Sequence, residues 1–270
     1  MSVNNTLDRN TVGHILAGSD IDAWGIAANT PRLNDAPPLP VAISLIMCID
    51  PAALAGLLIG STSAYRQEYS RLNKALDNAT AVLADNLVRR GYAAQRVPVT
   101  IKDYRLNTGD GEADSGVSAG ASGDTSAAGA SSDASDDARG GASDDISSSA
   151  SVADSPWRQF PHKTAATLAG LGWIGKTGLF VSHEFGPAVR LATVFTDLPL
   201  IPGSPVTTGS CGSCRLCVDH CPAGSGRDVT WHAGMPRDEI FDAASCQHYR
   251  RESGKICGIC VAICPYSRQG

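Results

Sequence analysis

Eight of the nine cysteines in this 270-residue chain lie between residues 211 and 264, in two sets of related spacing. The first set, in CGSCRLCVDHCP, has the C-x2-C-x2-C-x3-C-P spacing that is typical of cubane iron–sulfur clusters in bacterial proteins. The second set, in CGICVAICP, keeps the last three positions and takes its first cysteine from further upstream. Eight thiolates complete two four-cysteine sites, so the sequence predicts two 4Fe-4S clusters.

The predicted ligand partition crosses between the two sets, because the fourth cysteine of such a run ligates the other cluster. Each half then lends a ligand to the other, and we expect the halves to fold together around the metal. Cluster 1 takes Cys211, Cys214, Cys217 and Cys264. Cluster 2 takes Cys221, Cys246, Cys257 and Cys260.

Zinc is the competing metal, because structural zinc sites also use thiolates, alone or with histidine. His220 and His248 lie beside the cysteines and could serve it. Zinc sites typically have paired C-x2-C knuckles separated by a longer loop, whereas a triple-cysteine run that ends in Cys-Pro favours iron–sulfur. A disulfide framework is not favoured, because the start MSVNNTLDRN lacks the basic and apolar regions of a secretory signal.

The apolar stretch VAISLIMCIDPAALAGLLIG approaches the length of a membrane span. Asp50 and Pro51 lie in its middle, where a charge and a helix breaker are costly in lipid. We therefore predict a buried strand followed by a helix start, with no membrane as partner. We also predict a cytoplasmic location, where reduced thiols are available. Cys48, the ninth cysteine, is predicted to be a small buried apolar side chain of the strand.

Residues 107–155 are rich in Ser, Ala, Gly and Asp and contain no aromatic residue. Such a stretch buries too little apolar area to offset its ordering entropy, so we predict a disordered insertion. It carries ten acidic residues and one arginine, which leaves about +4 for the remainder of a chain whose net charge is −5. That mild basicity is compatible with an RNA partner and equally with an ordinary solvated surface. We expect no DNA partner.

The hydrophobic pattern outside the insertion alternates between strands and helices, which predicts an α+β fold, an α/β sandwich. Strands are predicted in VAISLIMCI, YAAQRVPVTI, LFVS and RLATVFTD; helices are predicted at 64–90, in HKTAATLA and, as a short helix and turn, at 11–28. Gly91 is in the expected position to end the long helix. Tyr65, Tyr69 and Asn73 share one face of that helix, where they line either a cofactor cavity or the core.

The loop GLGWIGKT, at residues 170–177, matches the phosphate-loop pattern G-x-x-x-x-G-K-S/T. A phosphate loop needs a strand before it and a helix after it, so that the helix N-terminus faces the phosphate. Here a helix is predicted before the loop and a strand after it, and Trp173 and Ile174 are bulky for a loop that closes on phosphate. We instead expect Gly172 and Gly175 to let the backbone pack closely against another element or a planar cofactor.

The stretch FPHKTAATLAGLGWIGKTGLFVSHEFGPAVRLATVFTDLPL, followed by CGSCRLCVDHCP and CGICVAICPY, resembles the epoxyqueuosine reductase family. The resemblance is specific from about Phe160 to Ser267 and weaker over the long helix. That family is a cobalamin-dependent group of double-cluster iron–sulfur proteins related to reductive dehalogenases. It reduces the epoxide of epoxyqueuosine in tRNA, the last step of queuosine synthesis.

The resemblance implies a nitroreductase-like α/β domain at 1–106 and 156–205, a ferredoxin-like double-cluster domain at 206–270, and a corrinoid between them. An external low-potential donor of the ferredoxin or flavodoxin type would supply electrons through both clusters to the cobalamin. The implied substrate-carrying partner is tRNA. The implied corrinoid-binding residues are Tyr69, Asn73, Gly172, Trp173, Gly175 and Lys176.

Two departures from the family concern the substrate. The aspartate proposed as the acid in the tRNA-modifying enzymes falls near Pro156, so the candidate catalytic proton donors are Asp154 and His162, with Lys163 beside them. The sequence ends at Gly270, without the C-terminal helical repeats that help full-length members hold tRNA. A non-catalytic electron carrier or reductive activator is therefore the alternative to a reductase. A nucleotide-binding switch is a third hypothesis, and its only support is the match of GLGWIGKT to the phosphate-loop pattern.

Overall fold

The chain combines helices with antiparallel strands in the computed structural model, which describes residues 3–30, 33, 36–99, 161–254 and 256–268. The strands are β1 (Ala23–Ala28), β2 (Val41–Cys48), β3 (Ala94–Arg96), β4 (Gly172–Ile174), β5 (Phe180–Ser182) and β6 (Val189–Thr196). The helices are α1 (Val3–Leu16), α2 (Pro51–Ala55), α3 (Ser63–Arg89), α4 (His162–Leu168), α5 (Leu216–Asp219), α6 (Arg237–Ile240), α7 (Ala243–Ser253) and α8 (Ile259–Ala262). Two 3₁₀ turns are Gly56–Ile59 and Pro265–Arg268.

The main sheet has the strand order β1-β2-β6-β3, and every neighbouring pair is antiparallel. Strand β2 lies inside the sheet between β1 and β6, and its residues from Val41 to Met47 are all buried. That position explains why its sequence is a continuous apolar run, since both faces of the strand are covered. Strands β4 and β5 form a separate two-stranded hairpin.

Helices cover both faces of the main sheet. On one face, α1 and α3 pack against alternate β2 residues such as Ile43 and Leu45, with Leu76 and Leu83 of α3 fully buried in the same core. On the other face, α4 packs against β1, β2 and β6, and its Ala165 meets Phe195 of β6. The predicted sandwich is thus confirmed in its arrangement of helices on both faces of a sheet.

The cysteine-rich C-terminal part consists of short helices joined by loops. Its α8 packs against α2 and the first 3₁₀ turn, and Val261 and Ala262 join the core that α3 covers. A Cβ on Gly258 would lie 2.6 Å from Leu57 Cδ1, so this junction depends on the missing side chain. The cysteine-rich part is therefore fixed against the α3 face of the sheet.

Several predicted elements are confirmed with small boundary shifts: β2, α3, α4, β5 and β6. Gly91 follows the end of α3 with a φ of 88°, in the left-handed region that glycine favours. Asp50 caps α2 through a hydrogen bond from Ala52 N, so the long apolar stretch is a strand and a helix start, as expected. Among the described residues, no helix combines the length and apolar composition that crossing a membrane requires.

Two predictions of local structure are wrong in part. The segment at 11–28 contains the end of α1 and then the whole of β1, which the sequence did not predict. Gly25 of β1 lets Leu171 and Ala169 approach, since a Cβ there would lie 3.0 Å from Leu171 Cδ2, and this tertiary contact overrides the local helix preference of its alanines. In the described part of the segment YAAQRVPVTI, the predicted strand is limited to β3, which ends two residues before Pro98, a residue without an N–H to continue the ladder. The predicted insertion, 107–155, lies outside the described residues.

Candidate cofactor site

Four of the cysteines line one cavity: Cys211, Cys214, Cys217 and Cys264, together with Pro265 and Tyr266. Cys211 and Cys214 lie in one short loop, in which Cys214 N donates to Cys211 O, and Cys217 lies in α5, which follows that loop. Cys264 comes from the second set, directly after α8. The structure thus brings together the four residues that the sequence assigned to cluster 1.

The other four cysteines also lie near one another. Cys246 is close enough to Cys257 and Cys221 for their charges to affect its pKa, and Cys260 is affected by all three. Cys260 is further influenced by Cys217, a member of the first group. The two groups are therefore neighbours, as expected of two clusters that share a fold.

Burial and the charges of neighbouring cysteines raise the pKa of Cys217, Cys246, Cys260 and Cys264, which favours the protonated form of these four thiols when no cation is bound. Burial, followed by the charges of Cys264, Cys211 and Cys214, raises the pKa of Cys217 to about 11. Burial and the neighbouring cysteines raise the pKa of Cys260 to about 12. A bound metal centre reverses this preference, because its positive charge stabilises the thiolates and releases the protons. Partly buried thiols grouped in fours are a donor set that suits iron–sulfur clusters.

A mononuclear metal site is not formed by the described residues. No three of their His, Cys, Asp or Glu side chains are grouped as ligands for one metal ion. His220 and His248, the histidines considered for zinc, are both exposed, and His220 Nδ1 lies 3.0 Å from Leu216 O. Cys48, at the end of β2, is only partly buried, so the prediction of a buried side chain holds in part.

The GLGWIGKT loop packs against the first cysteine set. Its centre forms β4, where Trp173 is 2% exposed and its Nε1–H donates to Cys211 Sγ at 3.3 Å. A Cβ on Gly172 would lie 2.0 Å from Val181 O, and one on Gly175 would lie 3.6 Å from Cys211 Sγ. The glycines thus permit close packing against β5 and the cysteine loop, which confirms the expectation of contact with another element.

Lys176, the charged residue of the GLGWIGKT loop, forms an ion pair. Its side chain is 6% exposed, and Nζ lies 2.7 Å from Asp228 Oδ1. Asp228 has a φ of 55° and also pairs with Arg215, which lies between two cysteines of the first set. The loop is preceded by α4 and followed by β5, so the helix that a phosphate loop requires is not at its end. Both facts disfavour nucleotide binding.

The two candidate proton donors that the structure describes, His162 and Lys163, contact different groups. Nδ1 of His162 lies 2.8 Å from Thr193 Oγ1, and Nε2 lies 3.0 Å from Pro98 O. Burial, with a smaller contribution from Arg190, lowers the pKa of His162 to about 4, against the effect of the Pro98 carbonyl. A neutral imidazole with both nitrogens engaged is typical of a structural histidine. Asp154 lies outside the described residues.

Lys163 is the second basic residue at the start of α4. Burial, with the charge of Arg237, lowers its pKa to about 8, and Nζ donates to the carbonyl of Gly178. A lysine with a pKa near neutrality can act in proton transfer when a substrate reaches it. In the structure, the ammonium group of Lys163 donates to the backbone carbonyl of Gly178, directly after the GLGWIGKT loop.

Tyr69 and Asn73 of α3 meet a residue that sequence reasoning missed, Arg190 of β6. The Arg190 guanidinium lies 3.9 Å from the centre of the Tyr69 ring and donates to Asn73 Oδ1 at 2.8 and 3.0 Å. Tyr65, one turn earlier, is 7% exposed, and burial raises its pKa to about 12. Arg190 also influences Tyr65 and His162, so one cation is shared by residues of α3, α4 and β6. The sequence offered one indication of this contact, since Arg190 is a charged residue near the start of the apolar strand β6.

The corrinoid-binding residues inferred from the resemblance thus fall into two places. Gly172, Trp173, Gly175 and Lys176 are buried and engaged with β5, the first cysteine set and Asp228. Tyr69 and Asn73 surround Arg190 on the α3 face. The first group contacts the cysteine-rich part, and the second presents polar groups and an aromatic ring.

Comparison with known proteins gives relatives for part of the chain. No protein-family profile matches it. Tetrachloroethene reductive dehalogenase of Sulfurospirillum multivorans is 36% identical over 115 residues, which cover 38% of this chain and 23% of that protein. Epoxyqueuosine reductase of Lactococcus garvieae is 36% identical over 110 residues, which cover 38% of this chain and 31% of that enzyme. The match thus spans less than a third of the length of either relative.

Similarity at the level of fold extends over nearly the whole chain. A solved reductive dehalogenase, whose structure was reported to suggest a mechanism for B12-dependent dehalogenation, superposes with a TM-score of 0.62 at 16% identity. The superposition covers 95% of this chain and 31% of the dehalogenase. At this identity the likeness concerns the fold alone.

Proposed function

We propose that this chain, which is an epoxyqueuosine reductase-like protein, is a reductase that passes electrons through two 4Fe-4S clusters to a bound corrinoid. The observation that carries the proposal is the position of Cys264. It lines the same cavity as Cys211, Cys214 and Cys217, although 46 residues separate it from Cys217. A simple loop-borne metal site does not need a ligand from the second set, whereas two interlocked clusters do.

The cofactors are assigned to two parts of the chain. The ferredoxin-like part, 206–270, would hold both clusters through the eight cysteines of the predicted partition. The nitroreductase-like part, 1–106 with 156–205, would hold the corrinoid, and the insertion 107–155 would be dispensable for either. Tyr69, Asn73 and Arg190 supply polar and aromatic groups that would face the cofactor or substrate on the α3 face. A reduced corrinoid supplies a strong reductant for carbon–oxygen or carbon–halogen bonds.

The residues of this chain would bind and orient the cofactors while excluding water. Trp173 and Tyr266 cover the cluster 1 cysteines on one side, with ring centres 5.1 Å apart. Lys163 and Asp154 are the proposed sources of the proton that an opened epoxide requires. His162 is the weaker candidate, because it is neutral and hydrogen-bonded at both nitrogens.

The substrate class follows the relatives: epoxyqueuosine in tRNA, or a halogenated hydrocarbon such as tetrachloroethene. We favour the modified nucleoside in tRNA because of the resemblance of GLGWIGKT and its flanks, and we propose a ferredoxin or flavodoxin as electron donor. A cytoplasmic location is consistent with clusters that need reduced thiols.

An electron carrier is the alternative function. It is favoured by one observation: His162, a candidate proton donor that lies in the described part of the chain, is neutral and has both ring nitrogens engaged. A carrier would not need the sandwich of helices and sheet that makes up the first part of the chain. That sandwich therefore favours the reductase.

Anaerobic purification with added cobalamin separates the two functions. The reductase predicts about eight iron atoms and about one corrinoid per chain, and single-turnover conversion of an epoxyqueuosine-containing RNA stem-loop or of tetrachloroethene after reduction. Cys257→Ser should abolish conversion, and Cys48→Ser is the matched control that should retain it. Iron without corrinoid or turnover indicates the carrier. Protein free of iron and acid-labile sulfide contradicts both.

A further inference from the structure

Trp173 is the one residue of the GLGWIGKT loop whose side chain reaches a cysteine sulfur through a described hydrogen bond. Its Nε1–H donates to Cys211 Sγ at 3.3 Å, across 38 residues of chain. Its indole is 2% exposed and packs edge-on against Tyr266 at 5.1 Å and against His183 at 5.2 Å. The donor is therefore held in a water-excluded position and aimed at one ligand of cluster 1.

We propose that Trp173 raises the reduction potential of cluster 1 through this hydrogen bond; the proposal rests on the cluster assignment above. Uptake of one electron increases the negative charge that the cluster shares with its cysteine sulfurs. An N–H donor stabilises the more negative state more than the oxidised state, so it makes reduction easier. Burial strengthens the effect, because water does not compete for the sulfur.

The neighbouring glycine supports the same assignment. A Cβ on Gly175 would lie 3.6 Å from Cys211 Sγ and 2.9 Å from Val181 Cγ2. The loop thus lies beside the sulfur, where an added Cβ would make an ordinary van der Waals contact with Sγ, and the tight contact would be with Val181. Lys176 is turned to Asp228, so its charge is neutralised by a partner and the indole N–H is the group that the loop offers to the sulfur.

The two cysteine groups differ in this respect. On the cluster 2 side, Cys221 Sγ accepts a hydrogen bond at 3.4 Å from the backbone N–H of Ser225. Backbone donors from Tyr266 and Ser267 also reach Cys264 on the cluster 1 side. The backbone N–H of Ser225 remains when this residue is replaced by any residue other than proline. The indole N–H of Trp173 is lost when the tryptophan is replaced. Trp173 is therefore a position at which the residue type can change the potential of cluster 1.

The test is a potentiometric titration of the reconstituted full-length protein, followed by electron paramagnetic resonance. Trp173→Phe keeps an aromatic ring and removes the N–H. We expect the ratio of reduced to oxidised cluster 1 at a fixed solution potential to fall about three- to tenfold, where tenfold equals about 59 mV for a one-electron couple. The other cluster should titrate as in the unaltered protein.

Trp231→Phe is the matched control. Trp231 is 9% exposed in the same hydrophobic cluster as Trp173, and none of its described hydrogen bonds is to a cysteine sulfur. Its replacement should leave both potentials unchanged. Should Trp173→Phe lose iron, 3-benzothienylalanine at position 173 keeps the shape of the indole without its N–H and decides the matter by the same titration.

The outcomes separate this inference from the proposed function. Unchanged potentials in an iron-replete Trp173 variant overturn the inference and leave the clusters in place. An equal shift in the Trp231 control also overturns it, since packing alone would then account for the change. Unaltered protein without iron or acid-labile sulfide removes the proposed function itself.

Discussion

Lys176 Nζ lies 2.7 Å from Asp228 Oδ1, and this ion pair joins the GLGWIGKT loop to the segment that follows the first cysteine set. The ammonium is almost fully buried, whereas the carboxylate is partly exposed and also pairs with Arg215. The lysine of a sequence that matches the phosphate-loop pattern is thus paired with the carboxylate of Asp228. The pair holds the loop beside Cys211, where Trp173 donates to the sulfur.

The two partners of this pair should differ in the cost of their removal. Asp228→Asn leaves the buried Lys176 charge without its anion, which is the expensive way to break such a pair. Lys176→Met leaves Asp228 with Arg215 and water. We expect Lys176→Met to lower the melting temperature by roughly 2–4 °C, and Asp228→Asn to lower it further. Circular dichroism under argon measures both.

Asp219→Asn is the control for these variants. Asp219 also pairs with Arg215, but as a surface pair between residues four apart on the chain. Such pairs contribute little, so the melting temperature should hardly change. Asparagine also tolerates the left-handed backbone that Asp228 adopts, so the main variant tests the charge rather than the turn. A larger loss for Lys176→Met than for Asp228→Asn contradicts the assignment of the buried charge.

Cys264 tests the crossing of ligands between the two sets. If it closes cluster 1, Cys264→Ala should reduce iron from about eight to about four per chain, with cluster 2 still visible by electron paramagnetic resonance. The C-terminal part should also lose stability, because metal binding and folding are coupled there. Cys48→Ala is the control and should retain all iron. A Cys264 variant with full iron content would contradict the predicted partition.

Periodicity and spacing predicted much of this molecule. The leucines of α3, among them Leu72, Leu76 and Leu83, recur at helical spacing and are buried together. The apolar run of β2 predicted a strand covered on both faces. The cysteine spacing predicted which four residues would meet, and Cys264 does lie with Cys211, Cys214 and Cys217. Occupation of these sites by clusters stays a prediction.

Contacts that depend on tertiary structure were beyond the sequence. Strand β1 is rich in Ala and Gly, and its state is set by pairing with β2 and by the approach of Leu171 to Gly25. Arg190 meets Asn73 across 117 residues, and no local pattern joins two such positions. The sequence predicts that Gly172 and Gly175 let the backbone pack closely against another element or a planar cofactor. Only the fold decides that the indole N–H of Trp173 meets Cys211.

His162 should make stability depend on pH. Its pKa is lowered to about 4 in the folded chain, while the unfolded chain has the ordinary value near 6.5. The unfolded state therefore binds more protons between these values, and the contribution of His162 is lost as pH falls from about 6.5 towards 4. Between pH 7.5 and 5.5 the free energy of unfolding should fall by about 1 kcal/mol from this residue alone.

The measurement compares urea unfolding at these two pH values in the unaltered protein and in His162→Gln. Glutamine can still donate to the Pro98 carbonyl but does not titrate, so the variant should show a smaller decrease. Acid lability of bound clusters affects both proteins alike and cancels in the difference. His220→Gln removes an exposed histidine and should leave the decrease unchanged. Equal decreases in the unaltered protein and in His162→Gln would show that the imidazole titrates normally.

Gly172 is the position in the GLGWIGKT loop where an added side chain would come closest to a backbone atom of another element. A Cβ there would lie 2.0 Å from the backbone oxygen of Val181 and 2.9 Å from Ser182 Cα, so the hairpin of β4 and β5 would have to separate. We expect Gly172→Ala to cost roughly 3 kcal/mol of stability and to disturb the hydrogen bond from Trp173 to Cys211. Gly18→Ala is the control, because nothing lies within 4 Å of its added Cβ. It should leave stability unchanged or slightly raised. Thermal unfolding and iron content measure both variants, and a Gly172 variant as stable as the control would contradict the close packing of this loop on β5.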